Sequence, residues 1–272
     1  MHSQRLLTAA VLSPLIFIVL WWGGSGLFDL VLLVVTAFCL YEYFTICFPG
    51  VVIIQGLGVM LGLFPLSSVL LWKGPEFMVP SVYAAFLGTT LLFLVSYTRW
   101  SNITWNLATF FMGTAYVGVC AAHLGLLRYL PMGKEWLVFL LVTVFCGDAG
   151  AYYVGKGIGR HKLCPNVSKG KTVEGAAGGL ILNAMAAFSL WFVLFRQIDP
   201  RVLVPLALVM GAVGQVGDLL ESMVKRSAGI KDSGSILPGH GGILDRVDAV
   251  LLASPFLYWV LHLYYIEGIL IG

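Results

Sequence analysis

The chain has 272 residues, of which 59% are hydrophobic and only 11% are charged. A soluble domain carries roughly 25% charged residues, so this composition excludes a soluble globular protein. The net charge of +3 is too small to indicate a nucleic-acid-binding protein. The five cysteines form no Cys-x-x-Cys pair and have no histidine at zinc spacing, so we expect neither a disulfide framework nor a zinc site.

Nine apolar runs follow one another along the chain, and each is long enough to span a membrane as a helix. The sequence therefore predicts an all-α, polytopic integral membrane protein with about nine transmembrane helices. The first run could be a signal peptide, but it lacks a clear Ala-x-Ala cleavage site and continues into Trp21 and Trp22, which favours a retained helix. The runs are residues 6–22, 27–48, 51–72, 77–98, 105–127, 136–154, 178–196, 202–221 and 249–270.

The distribution of Lys and Arg predicts the orientation of these helices. With a cytoplasmic N-terminus, 11 of the 16 basic residues lie on the cytoplasmic side and five on the opposite side, as the positive-inside rule requires. The two longest polar connections, residues 155–177 and 222–248, then share the cytoplasmic face. We divide the chain into an N-terminal region of about five transmembrane helices (1–130) and a C-terminal region that carries the chemistry (131–272).

Four acids lie at or next to the ends of the second connection, residues 222–248. Asp218 and Glu221 share one helix face at i, i+3 spacing, and Asp245 and Asp248 repeat the spacing at the start of the last helix. Oxygen ligands of this kind indicate a hard divalent cation, Mg²⁺, with Mn²⁺ as the alternative. Five glycines within residues 229–242 leave room for a ligand, and basic residues suited to phosphate lie among them: Lys225, Arg226, Lys231 and Arg246.

These features favour metal-assisted phosphoryl chemistry. The alternative, a basic cytoplasmic loop that only sets orientation, explains the lysines but not the paired acids, which are costly near the bilayer unless partnered. His240 could be an acid–base group or a hydrogen-bonding residue of the loop.

A second group of candidates surrounds the other connection. Asp148 lies inside the sixth apolar run, where an ionisable residue indicates function or a buried structural carboxylate. The glycines of 155–159 follow a membrane helix rather than a strand, which excludes a dinucleotide-binding motif. Lys171 belongs to a segment that could contact phosphate. Glu42, in the second run, could join a polar cavity or pair helices.

Residues Ser222–Asp248 resemble the signature of the phosphatidate cytidylyltransferase (CDP-diacylglycerol synthase) family, S-x-x-K-R-x4-K-D-x-[GSA]-x2-[LIF]-P-x-H-G-G-x2-D-R-x-D, at every specified position. The segments around Asp148 and from Ser168 to Gly175 are also similar to the family, although Lys169 stands where a proline is common. The matching positions of the signature are Ser222, Lys225, Arg226, Lys231, Asp232, Gly234, Leu237, Pro238, His240, Gly241, Gly242, Asp245, Arg246 and Asp248.

The resemblance implies transfer of the cytidylyl group of CTP to phosphatidate at the cytoplasmic face of a bacterial inner membrane. It implies catalytic roles for Asp218, Asp245, Asp248, Lys225 and Arg226, and metal binding by Asp148, Asp218, Glu221, Asp245 and Asp248. Substrate phosphates would contact Lys171, Ser222, Lys231, Asp232, His240, Gly241, Gly242 and Arg246.

Two other functions remain open at this point, a CTP-dependent lipid or polyprenol kinase and an ion-coupled transporter. The sequence also leaves open whether the chain acts as a monomer or a homodimer.

Overall fold

A computed structural model describes residues 14–234 and 241–267 of the chain, and helices make up most of this part. Eight of its helical segments, with Val52–Trp72 and Ile103–Tyr129 each counted as one, are long and apolar enough to cross a membrane. The predicted class, an all-α polytopic membrane protein, is confirmed, whereas residues 6–13 of the first predicted run lie outside the described residues. The helices are α1 (14–21), α2 (Gly24–Cys47), α3 (Val52–Gly62), α4 (Phe64–Trp72), α5 (Met78–Val95), α6 (Ile103–Gly113), α7 (Cys120–Tyr129), α8 (Gly133–Ile158), α9 (Val173–Val193), α10 (Pro200–Ser227) and α11 (Leu244–Glu267).

Large apolar side chains cover the outer surface of these helices. Leu71, Val95 and Val193 are 79%, 88% and 77% exposed, respectively. Lipid tails rather than water must surround such side chains, because exposed apolar surface on this scale is unfavourable in water. The orientation of the termini stays a prediction.

The described chain divides into two compact units, and the first consists of residues 14–129, 228–234 and 241–246. Its core is aromatic: the ring of Phe110 lies 4.7 Å from that of Phe44 and 5.8 Å from that of Phe93, and all three side chains are buried. The hydroxyl of Tyr43 donates a hydrogen bond to the carbonyl of Thr109 at 2.9 Å. These contacts fix the end of α2 against α6.

The second unit consists of residues 130–227 and 247–267. Small residues let α8 and α9 approach closely, as is common between membrane helices. A Cβ atom added to Gly150 would lie 2.9 Å from the carbonyl oxygen of Gly178, and one added to Gly179 would lie 2.8 Å from that of Gly147. These glycines therefore allow the backbones of α8 and α9 to contact each other where the two helices cross.

The connection between α8 and α9 contains a two-stranded antiparallel hairpin, β1 (Lys162–Cys164) and β2 (Ser168–Thr172), that the sequence reading missed. The dipeptide Pro165–Asn166 is typical of turns, and the amide of Val167 donates to the carbonyl of Cys164 at 3.1 Å. The Thr172 hydroxyl accepts a hydrogen bond from the amide of Gly175 at 3.1 Å and so caps α9.

The predicted run 51–72 matches a candidate span, Val52–Trp72, but the helix is broken within it between α3 and α4, where Pro65 occupies the first turn of a new helix. The bounds of the two predicted connections were wrong. The predicted connection 222–248 is shorter, because α10 continues to Ser227 and α11 begins at Leu244. The polar residues at these positions continue the helices rather than ending them. Likewise, α8 runs on to Ile158 through the glycines assigned to the connection 155–177.

Candidate active site

Three carboxylates of the second unit converge at the end of α10 and the start of α11. One oxygen from each of Asp218, Glu221 and Asp248 lies within 4.8 Å of the other two. Glu221 and Asp248 are buried, and Asp218 is about one third exposed. We call this group the carboxylate centre.

The spacing of small residues on α10 explains how Asp248 reaches the other two acids. Asp218 and Glu221 lie on one face of α10, one turn apart. A Cβ atom on Gly217 would lie only 2.7 Å from the carbonyl oxygen of Asp248, so α11 packs directly on the backbone of α10 at this level. One carboxylate oxygen of Asp248 accepts a hydrogen bond from the amide of Ala249 at 2.8 Å, which orients the side chain.

Two lysines partly neutralise the carboxylate centre. Lys225 forms an ion pair with Glu221 one turn away on α10, and both side chains are buried. Lys171, at the end of β2, forms an ion pair with Asp218 at 2.6 Å. When all three acids are ionised, two ammonium groups leave the centre with a net charge of −1, which attracts further cations.

The hairpin is fixed in a position that brings Lys171 to Asp218. Arg226 donates from Nε to the carbonyl of Val167 at 3.3 Å, which ties the hairpin turn to the end of α10. At the other end of the hairpin, the Glu174 carboxylate accepts hydrogen bonds from the amides of Arg160 and His161 and lies 2.6 Å from the His161 ring. The two polar segments of this unit therefore lie at the same end of its helices.

Asp148, on α8, is not among the three acids of the carboxylate centre, but it lies near enough to Asp248 to interact with it electrostatically. It lines a small cavity together with Asn183 and Gln215. The Asn183 side chain is buried, and within the described part of the chain its Oδ1 has no hydrogen-bond partner. The sequence reading missed Asn183 and Gln215, although polar residues inside apolar helices signal function.

Asp245 makes a different set of contacts, in the first unit. One of its carboxylate oxygens accepts hydrogen bonds from the amide of Ser233 at 2.9 Å, the hydroxyl of Ser233 at 3.1 Å and the amide of Gly242 at 2.8 Å. The group of three acids that could hold a metal does not include Asp245. Within the described residues, Asp245 thus holds the loop before α11, and its role as a metal ligand stays a prediction.

The same loop meets Glu42 of α2. This buried carboxylate accepts hydrogen bonds from the amides of Ile243 and Leu244 and from the hydroxyl of Ser233. The sequence predicts that Glu42 either joins a polar cavity or pairs helices. Its contacts with the signature segment could not be predicted from local spacing.

The remaining predicted residues lie on or next to these elements. Ser222 is half-buried on α10, and Arg226 is exposed near its end. In the first unit Lys231, Asp232 and Arg246 are exposed, Gly242 is buried, and Gly241 has a φ of +80°, a conformation that favours glycine. His240, with Leu237 and Pro238, lies outside the described residues.

The carboxylate centre fits a hard divalent cation. Two ligands of an octahedral ion bound at about 2.1 Å lie about 3.0 Å apart when cis and about 4.2 Å apart when trans. The three oxygens lie within 4.8 Å of one another, so side-chain movements can bring all of them to one cation. The donors are all carboxylate oxygens, which favour Mg²⁺ or Mn²⁺ over softer metals.

The fold and the centre define a polytopic membrane protein with an acidic, lysine-paired site suited to metal-dependent phosphate chemistry. Residues 3–264 match the model of the cytidylyltransferase family, and the chain belongs to that family. A phosphatidate cytidylyltransferase of Bacillus subtilis (strain 168) is 34% identical over 276 residues, covering 96% of this chain and 98% of the relative. The phosphatidate cytidylyltransferase of Staphylococcus saprophyticus is 40% identical over 167 residues, covering 60% of this chain and 64% of the relative. That of Staphylococcus aureus (strain COL) is 38% identical over 146 residues, covering 54% and 55%.

Proposed function

We propose that this chain transfers the cytidylyl group of CTP to phosphatidate and releases CDP-diacylglycerol and pyrophosphate. The observation that carries the proposal is the convergence of Asp218, Glu221 and Asp248 with Lys171 and Lys225 at one end of membrane helices. The family assignment and the similarity to phosphatidate cytidylyltransferases support the choice of nucleotide and lipid.

The reaction joins two anions and needs little acid–base catalysis. A phosphate oxygen of phosphatidate attacks the α-phosphorus of CTP, the bond between the α-phosphorus and the bridging oxygen to the β-phosphorus breaks, and pyrophosphate leaves with that oxygen. Both reactants are already charged, so the difficulty lies in bringing their phosphates together. Lysine side chains that face the reacting phosphates reduce this repulsion and stabilise the charge that develops on the leaving group.

The residues of the carboxylate centre have separate tasks in this scheme. Asp218, Glu221 and Asp248 would hold Mg²⁺, with Asp148 as a further ligand candidate. A bound Mg²⁺ supplies charge neutralisation at the nucleotide phosphates. Lys171 and Lys225 now pair with carboxylates of the centre, and we expect them to contact substrate phosphates when those carboxylates bind metal. Arg226 is held beside them by the hairpin.

We also propose that the centre faces the cytoplasm of a bacterial inner membrane, where CTP is available. The positive-inside distribution of Lys and Arg supports this orientation. Single cysteines introduced at Lys162, on the hairpin, and at Asp199, before the opposite end of α10, test it in intact cells. Labelling of Asp199→Cys but not of Lys162→Cys by a membrane-impermeant reagent is expected, and the reverse pattern would contradict the orientation.

Product analysis with CTP labelled at two positions tests the reaction. Purified protein in phosphatidate-containing vesicles is given Mg²⁺ and CTP carrying label on the α- or the γ-phosphate. We expect the α-label in the lipid and the γ-label in pyrophosphate. Label from the γ-position in the lipid would identify a kinase instead, and uptake of CTP without labelled lipid would favour a transporter.

A further inference from the structure

The Glu42 carboxylate is fully engaged by a segment about 200 positions further along the chain. Its Oε1 accepts a hydrogen bond from the amide of Ile243 at 2.9 Å. Its Oε2 accepts from the amide of Leu244 at 2.9 Å and from the hydroxyl of Ser233 at 2.8 Å. The side chain is only 3% exposed, so these three donors replace the water that an ionised carboxylate needs.

Glu42 thereby performs the task of a helix cap from another helix. The amides at the start of α11 have no partners within the helix. Glu42 accepts hydrogen bonds from two of them, the amide of Leu244 in the first turn and that of Ile243 just before it. A carboxylate at this end also interacts favourably with the helix dipole. A buried acid within a membrane helix and the first turn of α11 thus satisfy each other.

Asp245, the second carboxylate that Ser233 contacts, links Glu42 to the signature segment. The hydroxyl of Ser233 lies 2.8 Å from an oxygen of Glu42 and 3.1 Å from an oxygen of Asp245. That Asp245 oxygen also accepts from the amide of Gly242. A Cβ atom on Gly242 would overlap the Ser233 hydroxyl and the Glu42 carboxylate, so a larger residue here would have to displace both groups.

We propose that Glu42 is a positioning residue for the motif loop, which we define as the described residues between α10 and α11, 228–234 and 241–243. This inference rests on the proposed function, because Lys231 and Asp232 of the loop and Arg246 just after it are the residues expected to contact the CTP phosphates. Glu42 contacts the chain next to these residues, at Ser233, which follows Asp232, and at Ile243 and Leu244, which precede Arg246. Glu42 itself touches no reacting atom in this account.

The variant Glu42→Gln removes the positioning with little change in shape. A carboxamide keeps one acceptor oxygen but presents an N–H₂ group, and all three of its present partners are donors. At least one of the three hydrogen bonds to residue 42 must therefore break, and the N–H₂ group of the glutamine must face another donor. We expect the dissociation constant for CTP, measured with Mg²⁺ but without phosphatidate, to rise at least about tenfold, or about 1.4 kcal/mol.

Two readouts separate positioning from general loss of structure. The KM for phosphatidate and the affinity of the carboxylate centre for Mn²⁺ should each stay within about twofold of wild type, because a folded variant retains the second unit. Glu76→Gln, which removes a carboxylate from an exposed position of the same unit, serves as the matched control and should leave CTP affinity unchanged.

Ser233→Ala is the second variant, and it is a milder change that keeps the test decisive when Glu42→Gln does not fold. It removes one hydroxyl that both carboxylates share, and we expect CTP binding at least about threefold weaker. Equal CTP affinity in wild type and Glu42→Gln, or in wild type and Ser233→Ala if Glu42→Gln does not fold, would overturn the inference. A wild-type protein that binds no CTP would instead contradict the proposed function.

Discussion

Removing the buried lysine of the carboxylate centre should destabilise the protein in a way that Mg²⁺ corrects. Lys225 pairs with Glu221, and the two residues are 8% and 1% exposed. In Lys225→Met the centre loses one positive charge, and Glu221 keeps its burial without its cation. Breaking a buried pair in this way costs about 3–5 kcal/mol, and we expect the lower value because Lys171 remains nearby.

The assay is equilibrium unfolding in mixed micelles, followed by tryptophan fluorescence, with either EDTA or Mg²⁺ present. In EDTA the unfolding free energy of Lys225→Met should fall by about 3 kcal/mol. With Mg²⁺ at least half of this loss should be recovered, because ligand binding to the native state adds stability and the more negative centre binds the ion more tightly. Turnover should remain low, since a lysine that faces substrate phosphate is missing.

Lys162→Met is the matched control, because it removes an exposed lysine from β1. We expect this substitution to change stability by less than about 0.5 kcal/mol. Equal unfolding free energies for Lys225→Met and wild type in EDTA, or a Mg²⁺ effect no larger than that of wild type, would refute the electrostatic reasoning.

Three further substitutions test other contacts. Arg226→Lys keeps the charge but loses the planar guanidinium and its hydrogen bond to the hairpin, and it should lower the initial rate at saturating substrates at least about tenfold, whereas Lys156→Gln on α8 should change it less than about threefold. Thr172→Val removes the cap of α9 and should lower the unfolding free energy by about 1 kcal/mol; an unchanged value would show that the cap is not used. Gly211→Ala places a Cβ on the carboxamide of Asn183 and should cost about 1–3 kcal/mol in unfolding experiments, and combining it with Asn183→Ala should recover part of this loss; no recovery would exclude the steric explanation.

The sequence was sufficient for the membrane class and for most helix positions. Runs of about 20 apolar residues dictate spanning helices because backbone groups must be satisfied internally in lipid. The boundaries failed where polar residues continued a helix. Lys225 and Arg226 read as loop residues, but they form the last turn of α10, with Lys225 buried against Glu221.

The candidate site could be predicted only in part. Asp218, Glu221 and Asp248 were grouped from spacing along two helices, and the structure brings them together. Asp245 shares the spacing of Asp248, yet its carboxylate binds the amides of Ser233 and Gly242. Helical periodicity gives the face of a residue but not which neighbouring backbone competes for its oxygens.

Contacts between segments far apart along the chain could not be predicted from the sequence. Nothing in the residues around Glu42 indicates that its acceptors face amides of Ile243 and Leu244. Lys171 is a second example. Its ion pair with Asp218 depends on the position of the hairpin, and the hairpin strands show no strong periodic pattern of apolar residues. Such pairings follow from tertiary packing, which local patterns do not encode.

Titration of Mn²⁺ binding by electron paramagnetic resonance tests the central claim, that the carboxylate centre is the metal site of a cytidylyltransferase. Wild type, Asp248→Asn and the control Asp199→Asn, which alters an exposed acid before α10, are compared in the same detergent. Loss of an outer-shell partner alone lowers metal affinity about 10–100-fold. We therefore expect Asp248→Asn to bind Mn²⁺ at least about tenfold more weakly than wild type and Asp199→Asn to bind it equally well. Wild-type affinity in Asp248→Asn would contradict the account.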